Sequence, residues 1–327
     1  MRVVHGIEAA RFERTVLTIG NFDGLHRGHQ ALVEQGRRKA RASGGPLVVM
    51  TFEPHPASVL TPDRVPAELT PLAEKLRLLA EAGADAAVVV ASKPEFFSIS
   101  AEDFIREIIV QRFHPAVLVE GDSFRFGSHR AGDVHMLREA GSRLGFEVQV
   151  VEPARVALGG HPDTVISSSL VRHLLASGTV DGAALCLGRP YALLGQIRSG
   201  AGRGRELGFP TANLGVAGQL VPAEGVYAGR AFVLTADPLA AQRDSEIIAH
   251  PAGPSVPAAI SIGRTPTFAG DQLLVEAHLL GFSEELYGRH MRLEFLEWLR
   301  HQQRFDSPDA LKAQIADDVQ RTRQANR

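Results

Sequence analysis

Gly20-Asn21-Phe22-Asp23-Gly24-Leu25-His26-Arg27-Gly28-His29 is the stretch around which the chain is organised. The apolar run Val16-Leu17-Thr18-Ile19 enters it, and His29-Gln30-Ala31-Leu32-Val33 leaves it as a helix. Three glycines between a strand and a helix let the backbone turn tightly and approach a ligand closely. The helix start adds unpaired N–H groups at the positive end of its dipole. Such a junction suits phosphate. His26 and His29 add side-chain donors that can follow negative charge as it shifts during a reaction. On spacing alone the same pair would equally serve as a metal couple or as two solvated side chains. No Gly-Lys pair occurs in the sequence, which excludes the usual P-loop.

Outward from that stretch, short apolar runs alternate with helical patterns as far as Glu152. The runs are Val16–Ile19, Leu47–Phe52, Ala86–Val90, Ala116–Val119 and Phe146–Val151. Between them Gln30–Ala42, Pro71–Ala82, Ala101–Phe113 and Val134–Leu144 have apolar spacings of three and four. Thr70-Pro71 opens one helix, Ser100-Ala101-Glu102-Asp103 is a capping box for another, and Gly44, Gly83 and Gly145 close three. Continuous apolar strands joined through helices predict a parallel sheet covered on both faces, a Rossmann-like α/β domain. The histidine stretch then sits at the carboxyl end of its first strand, where such sheets bind ligands.

Beyond Arg189 the period changes. Val226–Leu234, Pro257–Gly263, Leu273–Leu280 and Met291–Trp298 read as strands between Gly- and Pro-rich turns. Val275, Ala277 and Leu279 alternate with Glu276 and His278, and Met291, Leu293 and Phe295 with Arg292, Glu294 and Leu296. The alternation predicts an antiparallel sheet closed into a small barrel. A final helix opens at Ser307-Pro308-Asp309 and carries Leu311, Ile315 and Val319 as a docking stripe. Asp237–Pro254 reads as a long polar loop. The reading therefore divides the chain into domains 1–186 and 187–327, with separate sites.

Composition narrows the classes. With 327 residues, 44% hydrophobic and 22% charged, the chain is long enough for two cores. A formal charge of -2 gives no general pull toward nucleic acid or membrane. Lysine occurs only at 39, 75, 93 and 312, so phosphate contacts are expected from Arg, His and backbone amides. Cys186 is the only cysteine, which leaves no internal disulfide, and Leu185-Cys186-Leu187 reads as core. The start of the chain lacks a signal pattern and no apolar run approaches the ~20 residues of a membrane span. A cytoplasmic protein acting on small molecules is expected, with no oligomer implied.

Gly24-Leu25-His26-Arg27-Gly28-His29 resembles the G-x-H-x-G-H signature of the adenylyl/cytidylyl-transferases, and Gly20-Asn21-Phe22-Asp23 narrows the resemblance to the bacterial bifunctional FAD synthetases. Ile166-Ser167-Ser168-Ser169-Leu170-Val171-Arg172 is similar to the family's I-S-S-T-x-x-R, with Ser169 in place of Thr. Thr51-Phe52-Glu53-Pro54-His55-Pro56 is similar to T-F-D/E-P-H-P. Gly121-Asp122-Ser123-Phe124-Arg125-Phe126-Gly127 is similar to G-x-D/N-F-x-F-G, and Ser123 departs from it. The resemblance implies FMN adenylyltransferase activity, in which FMN phosphate attacks the α-phosphate of ATP to give FAD and pyrophosphate. It further implies catalysis by His26, His29 and Arg172. Gly20, Asn21, Phe22, Asp23, Gly24, Gly28, Ser168 and Ser169 would bind ATP, and Glu53, His55, Ser123 and Phe124 the flavin.

In the second half, Pro210-Thr211-Ala212-Asn213 follows a Gly-rich turn. Two oxygens two residues apart on an incoming strand share a face and suit Mg²⁺ held with ATP phosphates. Glu276, among apolar neighbours, reads as an outward strand residue or as a general base for an alcohol. Gly200–Asn213 resembles the riboflavin kinase motif G-x-x-x-G-R-x-L-G-F-P-T-A-N, and Val275-Glu276-Ala277-His278-Leu279 resembles V-E-x-H-x-L. Ser261 stands where the family often has Asn. The resemblance implies Glu276 as base for the ribityl hydroxyl, Gly202, Arg205 and Gly208 at the phosphates, and Thr211 and Asn213 on Mg²⁺. Riboflavin would become FMN here. A second reading limits activity to one domain, and a third makes the chain a flavin-binding regulator without turnover. Intact His26, His29, Arg172, Thr211, Asn213 and Glu276 argue against the third, since a binder has no need of every transition-state group.

Overall fold

The computed structural model describes residues 1–199, 208–234, 255–267, 270–282 and 284–327. Gly202, Arg205 and the whole of the expected 237–254 loop lie outside them. By its contacts the chain forms two compact units, one of Met1–Ser167 and one of the described residues from Ser168 onward.

The first unit is built on a six-stranded parallel sheet. Its strands are β1 (Arg2–His5), β2 (Thr15–Ile19), β3 (Leu47–Glu53), β4 (Ala86–Ala91), β5 (Pro115–Gly121) and β6 (Glu147–Val151), in the order β1-β4-β3-β2-β5-β6. All five residues of β2 are buried, as a strand covered on both faces requires. The chain runs from β2 through β3 to β4 on one side and resumes at β5 on the other, so the strand order reverses beside β2. In sheets of this kind ligands bind where the order reverses, here at the carboxyl end of β2. The expected strands and helices are present. β1 is an addition, a four-residue edge strand pairing with β4 that is too short and too charged to show a period.

Helix α1 (Arg27–Ser43) begins three residues before its apolar period does, because His26 caps it. Helix α2 (Leu72–Glu81) has no side-chain cap, and the Thr70 hydroxyl expected there is used elsewhere, as shown below. Helix α3 (101–113) starts on Ser100, whose hydroxyl accepts the Asp103 N–H at 3.0 Å, and contains a π-helical stretch over Phe104–Val110. Helix α4 (Val134–Leu144) is capped by Asp133 and closed by left-handed Gly145.

The second unit is a closed six-stranded antiparallel barrel. Its strands are β7 (Tyr191–Arg198), β8 (Ala212–Gly215), β9 (Gly225–Leu234), β10 (Val256–Thr267), β11 (Gly270–Leu279) and β12 (His290–Arg300), in the closed order β7-β8-β11-β10-β9-β12. Val275, Ala277, Leu279, Met291, Leu293 and Phe295 are buried as the alternation predicts, and Tyr227 packs edge-on against Phe295 at 5.2 Å. Arg292 and Glu294, on the other face of the alternation, are also buried and are paired at 2.6 Å. Helices α5 (Ser168–Ala176) and α6 (Val180–Leu187) explain this: α6 packs on β12, and Cys186 is buried within it. Helix α7 (Pro308–Ala325) is capped by Ser307 and docks on β9, β10 and β12. Arg300 fixes it by gripping buried Asp318 at 2.8–3.1 Å.

One polar group stands inside the first sheet. Glu120 of β5, 1% exposed, accepts the Ile19 N–H at 2.7 Å, beyond the last β2–β5 pair at Leu17 and Leu118. Burial pushes its carboxyl well above the usual range, with only that hydrogen bond opposing. The folded chain therefore keeps a proton that the unfolded chain releases near pH 4–5. The associated stability is complete below that range and is lost as pH rises toward the folded value. Glu120→Gln keeps the acceptor and removes the ionisation. Denaturation curves from pH 5 to 8 are expected to fall less steeply for the variant, by up to about 1.4 kcal/mol per pH unit. Parallel curves would show that Glu120 ionises normally.

Candidate active sites

In the first unit the histidine loop leaves β2 with Gly20 N–H on the Met50 carbonyl at 3.0 Å. Phe22 and Leu25 then adopt left-handed backbone, with φ of 51° and 37°, which costs energy for residues with a Cβ. Both side chains are buried, and that anchoring holds the turn. His26 follows as the cap of α1, its Nδ1 accepting the His29 N–H at 3.4 Å. In a neutral ring the proton then lies on Nε2. The His26 and His29 rings stack at 3.7 Å and 18°. A Cβ on Gly28 would meet the His26 ring at 3.0 Å, so the glycine makes room for that stack.

His29 is half-buried against Phe22, ring centroids 5.1 Å apart, and its Nδ1 is buried without a hydrogen-bond partner. Burial, with repulsion from His26 and Lys75, holds its pKa well below the ordinary value. It is neutral at pH 7. Asn21 fixes the loop through its carbonyl, which accepts the Thr51 hydroxyl at 3.1 Å, and its Oδ1 is also buried and unpartnered. Two buried, unpaired polar atoms on this loop and the helix it opens fit a polar ligand.

Asp23, expected among ATP-binding residues, is 2% exposed. Its carboxylate accepts the N–H groups of Leu69 and Thr70 at 3.0–3.1 Å and the Thr70 hydroxyl at 3.3 Å. That hydroxyl also accepts the Gly24 N–H at 3.0 Å. Asp23 and Thr70 thus bind the histidine loop to the entry of α2. One turn on, Lys75 is 4% exposed and donates to the Phe52 carbonyl at 3.3 Å. Burial lowers its pKa, with Glu53, Asp23 and Glu68 opposing.

Glu53 ends β3 before a cis peptide bond to Pro54, and burial raises its pKa against the pull of Lys75. His55 Nδ1 accepts the Ala57 N–H at 3.1 Å. Ser123 is exposed on the turn after β5, and Phe124 stacks on Phe126 at 5.6 Å. The loops after β2, β3 and β5 leave the same edge of adjacent strands. They therefore bring together Gly20, Asn21, Gly24, His26, Gly28, His29, Glu53, His55, Ser123 and Phe124. Ser168, Ser169 and Arg172 lie on α5, grouped with the second unit.

In the barrel, Asn213 of β8 stands directly opposite Glu276 of β11. Ala212 and Leu214 are buried while Thr211 and Asn213 are half-buried, so the two oxygens share a face as predicted. His278 holds the incoming segment, its Nδ1 lying 2.8 Å from the Pro210 carbonyl. Gly208 has φ of 89°, a backbone that favours glycine. A cavity of about 790 Å³ is lined by Thr211, Asn213 and Glu276 and by the segment after β12, including Gln302 and Phe305.

Sequence reading passed over Lys75 and Glu120. Lys75 is one of only four lysines and Glu120 a carboxylate inside an apolar strand, and these were the available signals.

Comparison with known proteins follows the same division. Residues 8–169 match the FAD synthetase family model and residues 187–326 the riboflavin kinase model. The bifunctional riboflavin kinase/FMN adenylyltransferase of Escherichia coli (strain K12) is 39% identical over 97% of this chain and 95% of its own length. The protein of the same name from Pseudomonas fluorescens is 37% identical over 98% and 96%. A crystal structure titled macrolide-efflux protein from Streptococcus pneumoniae is 27% identical and superposes with a TM-score of 0.84 over 99% of both chains. Among the described residues no helix is long and apolar enough to cross a membrane. With this identity across nearly its whole length, the chain belongs to the bifunctional riboflavin kinase/FMN adenylyltransferase family.

Proposed function

We propose that this chain makes FAD from riboflavin in two ATP-dependent steps, phosphorylation in the barrel and adenylylation of the resulting FMN at the histidine loop. The observation that carries the reading is the pairing of two unlike sites in one chain. One is a neutral imidazole at a helix start in a sheet crevice, and the other a carboxylate beside two hard oxygens in a barrel cavity. Residues 1–186 serve as the transferase domain and 187–327 as the kinase domain. The substrates are riboflavin, FMN and ATP, without nucleic acid or membrane, in the cytoplasm, and no oligomer is implied.

In adenylylation the attacking FMN phosphate is already ionised, so no general base is needed. Catalysis is positioning and charge stabilisation. The His26 and His29 N–H groups and the first turn of α1 donate to the ATP phosphates as charge moves toward the leaving pyrophosphate. Arg172, with the hydroxyls of Ser168 and Ser169, adds a planar fork and two donors. Asn21 offers its unpaired oxygen to the nucleotide, while Gly20, Phe22, Asp23, Gly24 and Gly28 shape the loop. Glu53, His55, Ser123 and Phe124 hold the flavin.

In the kinase step Glu276 takes the proton of the terminal ribityl hydroxyl as it attacks the γ-phosphate. Gly202, Arg205 and Gly208 hold the phosphates. Among the described residues no three acidic, His or Cys side chains gather to cage a metal. Thr211 and Asn213 instead supply two neutral oxygens, which fits Mg²⁺ carried on a nucleotide and otherwise bound by phosphate and water. Bound there, Mg²⁺ would neutralise phosphate charge.

Riboflavin, ATP and Mg²⁺ incubated with the protein should yield FMN and then FAD on chromatography, and FMN alone would place the defect in the first site. His29→Ala is expected to lower adenylylation of supplied FMN by about 10²–10³-fold, the usual effect of one lost transition-state donor. Riboflavin phosphorylation should be spared, and an equal loss of both activities would overturn the assignment. Glu276→Gln should lower riboflavin phosphorylation by about 10²–10⁴-fold, the range for a lost general base. It should leave FMN adenylylation intact, and a variant that keeps its kinase rate would return Glu276 to a structural role.

A further inference from the structure

Three polar side chains form a row across three neighbouring strands of the barrel. Asn213 stands opposite Glu276, and Glu276 stands opposite Ser261 of β10. Directly opposed residues share a face with Cβ atoms about 4.5–5.5 Å apart, and all three line the cavity. Asn213 and Glu276 have roles in the proposed kinase step; Ser261 has none.

Gln302 decides what Ser261 can do. Its side-chain amide lies 2.9 Å from Ser261 Oγ and 2.9 Å from the Ile262 carbonyl oxygen. A carbonyl only accepts, so the group facing it is the NH₂, and an amide NH₂ only donates. Ser261 Oγ is therefore the acceptor in its bond with Gln302. Its own proton stays available to an oxygen in the cavity.

The row also orders the cavity. Glu276 must lie within hydrogen-bond reach of the alcohol it activates. Asn213 occupies the nucleotide flank, which leaves the opposite flank, that of Ser261, to the alcohol. Phe305, Leu311 and Ile315 line the same cavity from the tail that Gln302 ties to β10, giving apolar surface suited to a flat ring rather than to phosphate.

Resting on the kinase reading above, we propose that Ser261 is a specificity-determining residue that donates its proton to an internal hydroxyl of the ribityl chain. The hydroxyl it recognises is a neighbour of the one Glu276 deprotonates. The contact selects a polyhydroxylated side chain over a simple alcohol.

The test uses the full-length chain and two flavins, riboflavin and an analogue whose side chain is an unbranched hydroxypentyl group. Wild type must first phosphorylate riboflavin; if it does not, the kinase reading itself fails before any variant is made. Ser261→Ala is expected to raise KM for riboflavin about 3- to 10-fold, the scale of one neutral hydrogen bond. Its kcat and its KM for ATP should stay within about twofold, and its KM for the analogue should equal that of wild type. Ser261→Thr, which keeps the hydroxyl, should restore riboflavin KM. Gln302→Glu should raise it, because a carboxylate at that place takes the Ser261 proton. These two variants carry the test if Ser261→Ala fails to fold. An unchanged riboflavin KM, an equal rise on both flavins, or a rise in KM for ATP instead would each overturn the proposal.

Discussion

The first site depends on the carboxylate of Asp23. Buried ions are tolerated when every lone pair is met, and Asp23 meets the N–H groups of Leu69 and Thr70 together with the Thr70 hydroxyl. In doing so it joins the loop after β2 to the start of α2. The loop needs such a tie, because Phe22 and Leu25 hold left-handed backbone within it. With that turn secured, His26 reaches the cap position of α1 and its ring can lie on His29. Removal of the Asp23 carboxylate would take an acceptor from three interior donors and release the strained turn together. The aspartate of the family signature therefore acts on the site through the protein's own backbone.

The barrel solves the same problem by register. Antiparallel pairing places residues of different strands side by side, with the period of two deciding which face they share. Asn213, Glu276 and Ser261 are distant in sequence and become neighbours only because β8, β11 and β10 are adjacent in the closed sheet. A slip of one residue in any of these pairs would turn a polar group into the apolar interior. The packing of Ala212, Val275, Ala277 and Ile262 opposes such a slip, so the core that stabilises the barrel also aligns its chemistry.

Much of this was legible in the residues. The continuous apolar runs at Val16–Ile19, Leu47–Phe52 and Ala86–Val90 read as buried parallel strands, and the alternation about Glu276 read as a barrel wall. What was not legible depended on tertiary partners. Arg292 and Glu294 look like an exposed face until α6 covers β12. Thr70 looks like a helix cap until the loop carrying Asp23 and Gly24 arrives to use its hydroxyl. Lys75 looks like a solvated position on an amphipathic helix, yet α2 is buried on nearly all sides and its ammonium is turned inward to the Phe52 carbonyl. Helices α5 and α6 carry the period of the first half and pack with the barrel. Local pattern specifies an element and its apolar face, and it is silent on which neighbour comes to cover the other face.

A common electrostatic condition links the ionisable groups around the first crevice. Burial favours the neutral form of His29, of Glu53 and of Glu120, and it lowers the pKa of Lys75 as well. In such buried surroundings each donated hydrogen bond is stronger than in water. An incoming polyphosphate meets oriented N–H dipoles there. Such dipoles need little reorganisation as charge passes from the attacked phosphorus to the leaving group. The scarcity of lysine in the chain is consistent with that design. A flexible ammonium would hold the ground-state phosphates about as well as the transition state, whereas a fixed imidazole N–H at a capped helix start is aimed at one place.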